Sequence, residues 1–338
     1  MGTRKLKILV LFDIPYQPPQ DHNFKGIMKN ADEWKTERDV IASLQRLGHD
    51  VTTFGVYDDI RPLIWELETN RPDLIFNLCE AVDGNRDMEP NLVGMLQMLK
   101  IPYTGAGPGP LRICKDKGLT KRILGFHRIR IPRFEVSHRN RPLKTLKGIK
   151  FPVIIKPLGF EGSEGISQTS LVKTPEDCLD RIAFVHEKLE SDAIIEEYID
   201  GREVYVGIMG RDRLTVLPPR ELFFHQTPDN KPKFATFKAK WDKSYRERWG
   251  IDTDQATQLE PAVERRMNDL CRRIYRLFEI DGYARIDLRI SPEGDIVFIE
   301  ANPNPSIARD DDFALAAKES GLAYDELIGK IVNMALPA

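Results

Sequence analysis

The chain has 338 residues, with 50 Lys and Arg set against 52 Asp and Glu for a net charge of -2. That length allows two or three domains with a sizeable core, and the evenly mixed charge argues against a nucleic-acid-binding surface. No apolar run approaches the ~20 residues that cross a bilayer, and Asp13 interrupts the opening MGTRKLKILVLFDIPY too soon for a signal peptide, so the cytoplasm is the default and no membrane partner is expected.

KILVLFDI predicts a buried strand, the segment from about Asp32 to Leu47 a helix ending at Gly48, and HDVTTFGV the next strand. The alternation continues through PLIWELE, DLIFNLCE, a helix NLVGMLQMLK and a strand IPYTG, so residues 1–107 predict a small parallel α/β domain. GAGPGP marks a boundary. A helix around Lys115 to Leu124 follows, then the strand FPVIIKP, the glycine-rich GFEGSEGIS and a helix near Pro175 to Leu189. DAIIEEYIDGREVYVGIMG predicts two strands about a glycine turn, and residues 220–255, with weak periodicity, an extended or mobile loop. A helix from about Pro261 to Leu277 leads to a hairpin, and the amphipathic helices DFALAAKESG and AYDELIGKIVNMAL end the chain. Cys79, Cys114, Cys178 and Cys271 lack CxxC spacing and predict buried thiols, not a zinc or disulfide framework.

The hairpin strands are YARIDLRI and DIVFIEANP. A two-residue loop at Glu293 and Gly294 would set Asp287 opposite Glu300. Alternation then brings Arg285 and Asn302 to the same face and points Ile286, Leu288, Val297 and Ile299 into a core. Like charges directly opposite destabilise a sheet, so this pairing calls for a cation between the carboxylates. Asp, Glu and Asn oxygens suit Mg²⁺, which uses one or two carboxylates and leaves its other positions to water and phosphates. The alternative is an amphipathic hairpin with a merely solvated polar face.

GFEGSEGIS, Gly159 to Ser167, follows a strand ending in Lys156. Its glycines, including Gly162, let backbone N–H groups approach a phosphate, and Ser163 adds a hydroxyl donor; a plain hairpin turn is the alternative. Lys156 at the end of VIIK is costly to bury without an anion, which a phosphate would supply. At IIEEYIDGRE, exposed backbone beside Glu196, Glu197 and Ile199 could meet an adenine, and Glu203 could accept from ribose hydroxyls; a charged β-hairpin is the alternative.

IPYTG, KPLGFEGSEGIS, IEEYIDGRE and the stretch from Gly282 to Gly321, in this order, resemble the D-alanine:D-alanine ligase-like branch of the ATP-grasp superfamily over nearly the whole chain. The resemblance implies an α/β fold turning α+β towards the C-terminus: an N-terminal domain 1–107, a central ATP-grasp part 108–195 with the phosphate loop, and a C-terminal part 196–338 with the metal site. It implies Lys117 and Lys156 as phosphate-contacting lysines, Ser163 and its neighbouring amides as the phosphate loop, and Glu196, Glu197, Ile199 and Glu203 as adenine and ribose contacts. Lys240 in FKAKWD resembles the lysine of a mobile loop that closes over the γ-phosphate. Asp287, Glu300 and Asn302 resemble the ligands of two Mg²⁺ ions, for which Mn²⁺ can substitute, and Arg285 the cation on the transferred phosphoryl group or the tetrahedral intermediate. The implied activity is an ADP-forming ligation of small-molecule carboxylate and amine substrates through an acyl phosphate, with a homodimer usual among relatives. A D-alanine:D-alanine ligase, an ATP-grasp kinase and a non-catalytic nucleotide-binding protein are the alternatives.

Three departures bear on substrate. The family's Ser-Ala-Glu-Arg-like segment is replaced by DIPYQPPQDHNFKG, its His-Gly and Gly-Glu-Asp-Gly pattern by CEAVDGNRDMEPN, and its carboxylate-receiving serine segment by Arg309, Asp310, Asp311 and Asp312. Three carboxylates there would repel a substrate carboxylate, so the expected acceptor is cationic or presents an amine without a nearby carboxylate, rather than D-alanine, with Asp310, Asp311 and Asp312 as candidate contacts. Alternatively, the aspartates simply favour the N-terminus of the next helix.

Overall fold

The computed structural model describes residues 5–19, 24–28, 32–146, 148–228 and 232–337. Strands β1 (Lys7–Asp13), β2 (Asp50–Val56) and β3 (Leu74–Asn77) form a parallel sheet in the order β2-β1-β3. A central parallel strand is covered on both faces, which explains the unbroken apolar run of β1. Ile8, Val10 and Phe12 share a core with Leu327, Ile328 and Ile331 of the last helix, Tyr324–Ala335. Leu9 and Leu11 face the other way, towards Leu63, Leu67, Leu92 and Leu96. The C-terminal helix thus completes the first domain's core, and Asp325 ties it down by accepting from Arg46 Nε at 2.9 Å and Ser43 Oγ at 2.7 Å. IPYTG is not a strand: Tyr103 makes one bridge to Ile75, because Pro102 has no N–H to extend the ladder and the chain turns away at Gly105.

The second sheet is antiparallel, with β4 (Phe134–Ser137), β5 (Val153–Pro157), β6 (Leu171–Val172) and β7 (Ala193–Glu197) in the order β4-β7-β5-β6. Val153, Ile155 and Ile195 pack on Cys178, Ile182 and Val185 of the helix Pro175–Lys188. That helix starts as the sequence predicts, with Thr174 accepting the Asp177 N–H at 3.2 Å and Pro175 in the first turn. The helix expected from Lys115 to Leu124 is two, Pro108–Lys115 and Lys117–Phe126. Asp116 between them is extended and caps the second, accepting the Leu119 N–H at 2.8 Å.

The third sheet holds β8 (Arg202–Gly210), β9 (Thr215–Val216), β10 (Arg220–Phe224), β11 (Ile251–Gln255), β12 (Gly282–Ile290) and β13 (Ile296–Pro303). Its path is β11-β10-β8-β12-β13, with β9 on β8. The two strands of DAIIEEYIDGREVYVGIMG are therefore not a hairpin, since β7 and β8 belong to different sheets. The chain crosses between the sheets through Gly201, at φ +123°, where any Cβ would collide with the Ile290 carbonyl. Residues 220–255 are not one extended loop either: β10 and β11 pair from Arg220↔Gln255 to Phe224↔Ile251, and the helices Phe237–Trp241 and Lys243–Trp249 lie between them. As a polar edge strand, IDTDQ carries almost no apolar signal. Residues 229–231 of this segment lie outside the described residues.

The β12–β13 hairpin closes with three loop residues, not two: Ser291 N–H donates to the Asp295 carbonyl at 3.0 Å, and Gly294 takes φ +80°. Pairing runs from Ile290↔Ile296 to Leu288↔Phe298, then a bulge inserts Ile299 before Asp287↔Glu300. The longer loop and the bulge cancel, so the two carboxylates still meet. The apolar face changes, however. Phe298 and Ala301 join Ile286 and Leu288 in the core, whereas Val297 pairs with Arg289 and Ile299 lines the cleft.

Candidate active site

Asp287 and Glu300 form the floor of a cleft between the second and third sheets. Each carboxylate has its own cation. Lys117, on the first turn of its helix, lies 3.0 Å from Glu300, and Arg285 grips Asp287 through Nε at 2.7 Å and Nη2 at 3.0 Å. Burial works against charge at Glu300, but Lys117, Lys240 and Lys156 outweigh it and hold the pKa at about 2. At Asp287 burial wins over Arg285, and the pKa is raised. Asn302 pairs with Arg285 across the strands, and its buried Nδ2 has no hydrogen-bond partner among the described residues. Two carboxylates and an amide whose oxygen can turn to an ion are a fitting donor set for Mg²⁺. No group of three or more His, Cys, Asp or Glu side chains among the described residues is arranged to hold a metal by itself, so substrate oxygens and water would have to complete the shell.

The cleft wall is built from paired charges. Glu196, 1% exposed, lies 2.8 Å from both Lys156 and Lys121, and its pKa falls to about 2 because the two ammoniums outweigh its burial. The bulge contributes here, since the Ile299 carbonyl accepts from Lys121 at 2.9 Å. Glu203 is held by Arg289 at 2.7 Å and Tyr205 at 3.0 Å, and Arg289 also donates to the Ile199 carbonyl at 3.0 Å. Glu197 accepts the Lys150 N–H at 3.2 Å. Lys121 and Arg289 escaped the sequence reading, although both had a signal: Lys121 lies four residues after Lys117 on one helix face, and Arg289 alternates with Arg285 and Asp287 on one strand face.

The glycine-rich segment Gly159 to Ser167 folds over this wall with Gly162 at φ +60° and Ser163 at φ +63°. Trp241 Nε1 donates to the Gly162 carbonyl at 2.8 Å and the Phe237 N–H to the Ile166 carbonyl at 3.0 Å, so the segment carrying Lys240 is stitched to the loop carrying Ser163. The Phe160 carbonyl of the same loop accepts from Lys117. The cleft shared by Lys156, Ser163, Glu203, Lys240, Asp287 and Glu300 measures only ≈ 60 Å³, far below the roughly 300–1,000 Å³ of ligand pockets.

Asp310, Asp311 and Asp312 are not gathered on this cleft. Asp310 pairs with Lys35, Asp311 accepts from Ser306, and Asp312 lies 3.1 Å from Arg220, which also holds Glu319. Their positions before and at the start of the helix Asp312–Glu319 match the helix-terminus alternative.

A family model for the C-terminus of D-Ala D-Ala ligase matches residues 114–333. The y4sG protein of Sinorhizobium fredii is 29% identical over 343 residues, spanning 96% of this chain and 92% of that protein. The D-alanine–D-alanine ligase of Aquifex aeolicus is 26% identical over 303 residues, spanning 88% and 94%. Among solved structures, D-alanine–D-alanine ligase from Bacillus anthracis complexed with ATP aligns at TM-score 0.73 and 20% identity over 98% of this chain and 97% of that one. VanG D-Ala:D-Ser ligase from Enterococcus faecalis aligns at 0.69 and 17% over 98% and 100%, so the fold is shared. With well over half its length inside the family model, the chain belongs to the D-Ala-D-Ala ligase family of ATP-grasp proteins and is an ADP-forming carbon–nitrogen ligase.

Proposed function

We propose that this protein uses ATP and Mg²⁺ to activate a small-molecule carboxylate as an acyl phosphate, and joins it to an amine other than D-alanine. The observation that carries the mechanism is the convergence of Lys156, Lys240, Asp287 and Glu300 on one cleft, with Lys117 against Glu300. Asp287, Glu300 and Asn302 would hold one or two Mg²⁺ ions, which when bound neutralise phosphate charge as Lewis acids. Lys117 and Lys156 exchange Glu300 and Glu196 for phosphate oxygens, and the amides around Gly162 and Ser163 cradle the same groups. Glu196, Glu197 and Ile199 take the adenine and Glu203 the ribose. Arg285 turns from Asp287 to the transferred phosphoryl group, and Lys240 closes over it, so positioning and electrostatics carry the rate. The stitched segments exclude water from the acyl phosphate.

The division into 1–107, 108–195 and 196–338, with the last boundary shifted to the end of β7 at Glu197, belongs to the same proposal, as do a homodimer and a cytoplasmic site of action. No helix among the described residues is long and apolar enough to cross a membrane. The test is stoichiometry. With MgATP and a panel of carboxylates and amines, ADP, phosphate and amide should appear one to one to one. ADP without free phosphate would instead identify a kinase, and no ADP with any pair would identify a non-catalytic nucleotide binder.

A further inference from the structure

The glycine-rich loop proposed to cradle phosphate carries two carboxylates, Glu161 and Glu164, on either side of Gly162 and Ser163. A tight turn holds them there: the Glu164 N–H donates to the Glu161 carbonyl at 3.0 Å, and the Ile166 N–H to the Ser163 carbonyl at 3.0 Å. Without compensation, negative side chains so close to the Gly162 and Ser163 amides would repel the polyphosphate those amides are to receive. The structure turns both away. Ser163 and Ile166 line the cleft, and Glu161 and Glu164 do not.

The two carboxylates are drawn instead to cations on other elements. Lys115, 9% exposed at the end of the helix Pro108–Lys115, lies 3.2 Å from Glu161 and 2.9 Å from Glu89. Arg86 lies 3.5 Å from Glu161 and 3.6 Å from Glu164. Arg86 and Glu89 both belong to CEAVDGNRDMEPN, the first-domain segment that departs from the family pattern. Arg86 opens a short 3₁₀ turn, Arg86–Met88, which Asn85 caps by accepting the Asp87 N–H at 2.9 Å. Burial opposes both cations, but Glu89 and Glu161 outweigh it at Lys115, and Glu80, Glu164 and Glu161 at Arg86, so both pKa values are raised. The first domain supplies no third cation from beyond Glu80 and Glu89. These two line a cavity of ≈ 280 Å³ with Asp13, Glu33, Glu37, Tyr283 and Asn304, and no Lys, Arg or His lines it.

We propose that Arg86 and Lys115 are positioning residues for the nucleotide: they neutralise Glu161 and Glu164 and hold them against the first domain, so that the loop offers its amides and not its carboxylates to the phosphates. The inference rests on the reading of this loop as the phosphate cradle. Lys115 carries the larger share, because it is buried and its contacts are shorter, whereas the Arg86 side chain is 39% exposed. The first domain thereby bears on ATP affinity although neither cation lines the cleft.

Calorimetric titration of the full chain with MgATP tests this. Lys115→Met should weaken ATP binding about tenfold and Arg86→Gln about threefold. Adding Glu161→Gln to Lys115→Met should restore most of the loss, because the repelling charge is then gone, whereas damage to packing would not be repaired by removing a partner's charge. The gap between parent and single variants should also narrow as sodium chloride is raised towards about 1 M, where charges are screened beyond about 3 Å. Melting curves establish that each variant is folded, and if Lys115→Met is not, Arg86→Gln with and without Glu164→Gln provides the same comparison. Unchanged ATP affinity in the single variants, or a loss that neither the second substitution nor salt reduces, overturns the proposal and leaves the ligase reading standing. A parent chain that binds no ATP removes the phosphate reading of the loop, and this proposal with it.

Discussion

In the cleft between the second and third sheets each buried carboxylate sits against its own cation: Glu196 between Lys121 and Lys156, Glu203 on Arg289, Asp287 on Arg285 and Glu300 on Lys117. In the cavity beyond Tyr283, Asp13, Glu33 and Glu37 make no ion pair among the described residues. The first arrangement can release a lysine to a phosphate and hand the carboxylate to a metal, so charge is conserved as partners change. The second can be neutralised only by protons or by a cation from outside. Both lie along one hairpin, which places a cleft of exchangeable charge beside a cavity of excess charge.

The contrast can be broken most severely at the floor of the cleft. Asp287→Asn or Glu300→Gln should reduce ADP formation by at least about 10²–10³-fold, and because each leaves Arg285 or Lys117 without its carboxylate it should also lower the urea midpoint while the chain stays folded; full activity would refute the metal assignment. Next in size is Lys121→Met, which leaves Glu196 with one ammonium. Breaking a buried pair from one side costs about 3–5 kcal/mol, to be read from the urea midpoint, and a loss below about 1 kcal/mol would show that the clamp contributes little. Trp241→Phe removes the hydrogen bond to Gly162, worth about 0.5–1.5 kcal/mol, and should raise the KM for ATP severalfold or less.

The smallest effect sharpens the other side of the comparison. Glu37 holds its proton more tightly folded, near pKa 7, than at its ordinary 4.5. Its contribution to stability is therefore present below about pH 4.5 and lost as pH rises to about 7. Glu37→Gln should flatten that part of the melting-temperature profile, and an unchanged profile would assign the titration to other groups such as Glu89, also raised to about 7 by burial.

The Asp287–Glu300 pairing was readable because strand alternation survives small errors: the misjudged loop and the unseen bulge offset one another. Lys121 and Arg289 have regular spacing in the sequence, but their partners Glu196 and Glu203 lie on other elements, which spacing along one element does not reveal. The change of sheet between β7 and β8 has no local pattern beyond Gly201, since which neighbour a strand pairs with is settled by distant residues. The acidic cavity was hidden for the same reason. Asp13, Glu37 and Glu80 lie on three separate segments, whereas the adjacent Asp310, Asp311 and Asp312 drew attention and were found bound to Lys35, Ser306 and Arg220.

The stitches from Trp241 to Gly162 and from Phe237 to Ile166 close a cleft smaller than the ATP proposed to enter it. Entry must then follow a spontaneous parting of these segments, so in rapid-mixing experiments the observed association rate should climb with ATP concentration and then level off. The plateau is the parting rate itself, expected on the microsecond-to-millisecond scale of loop motions.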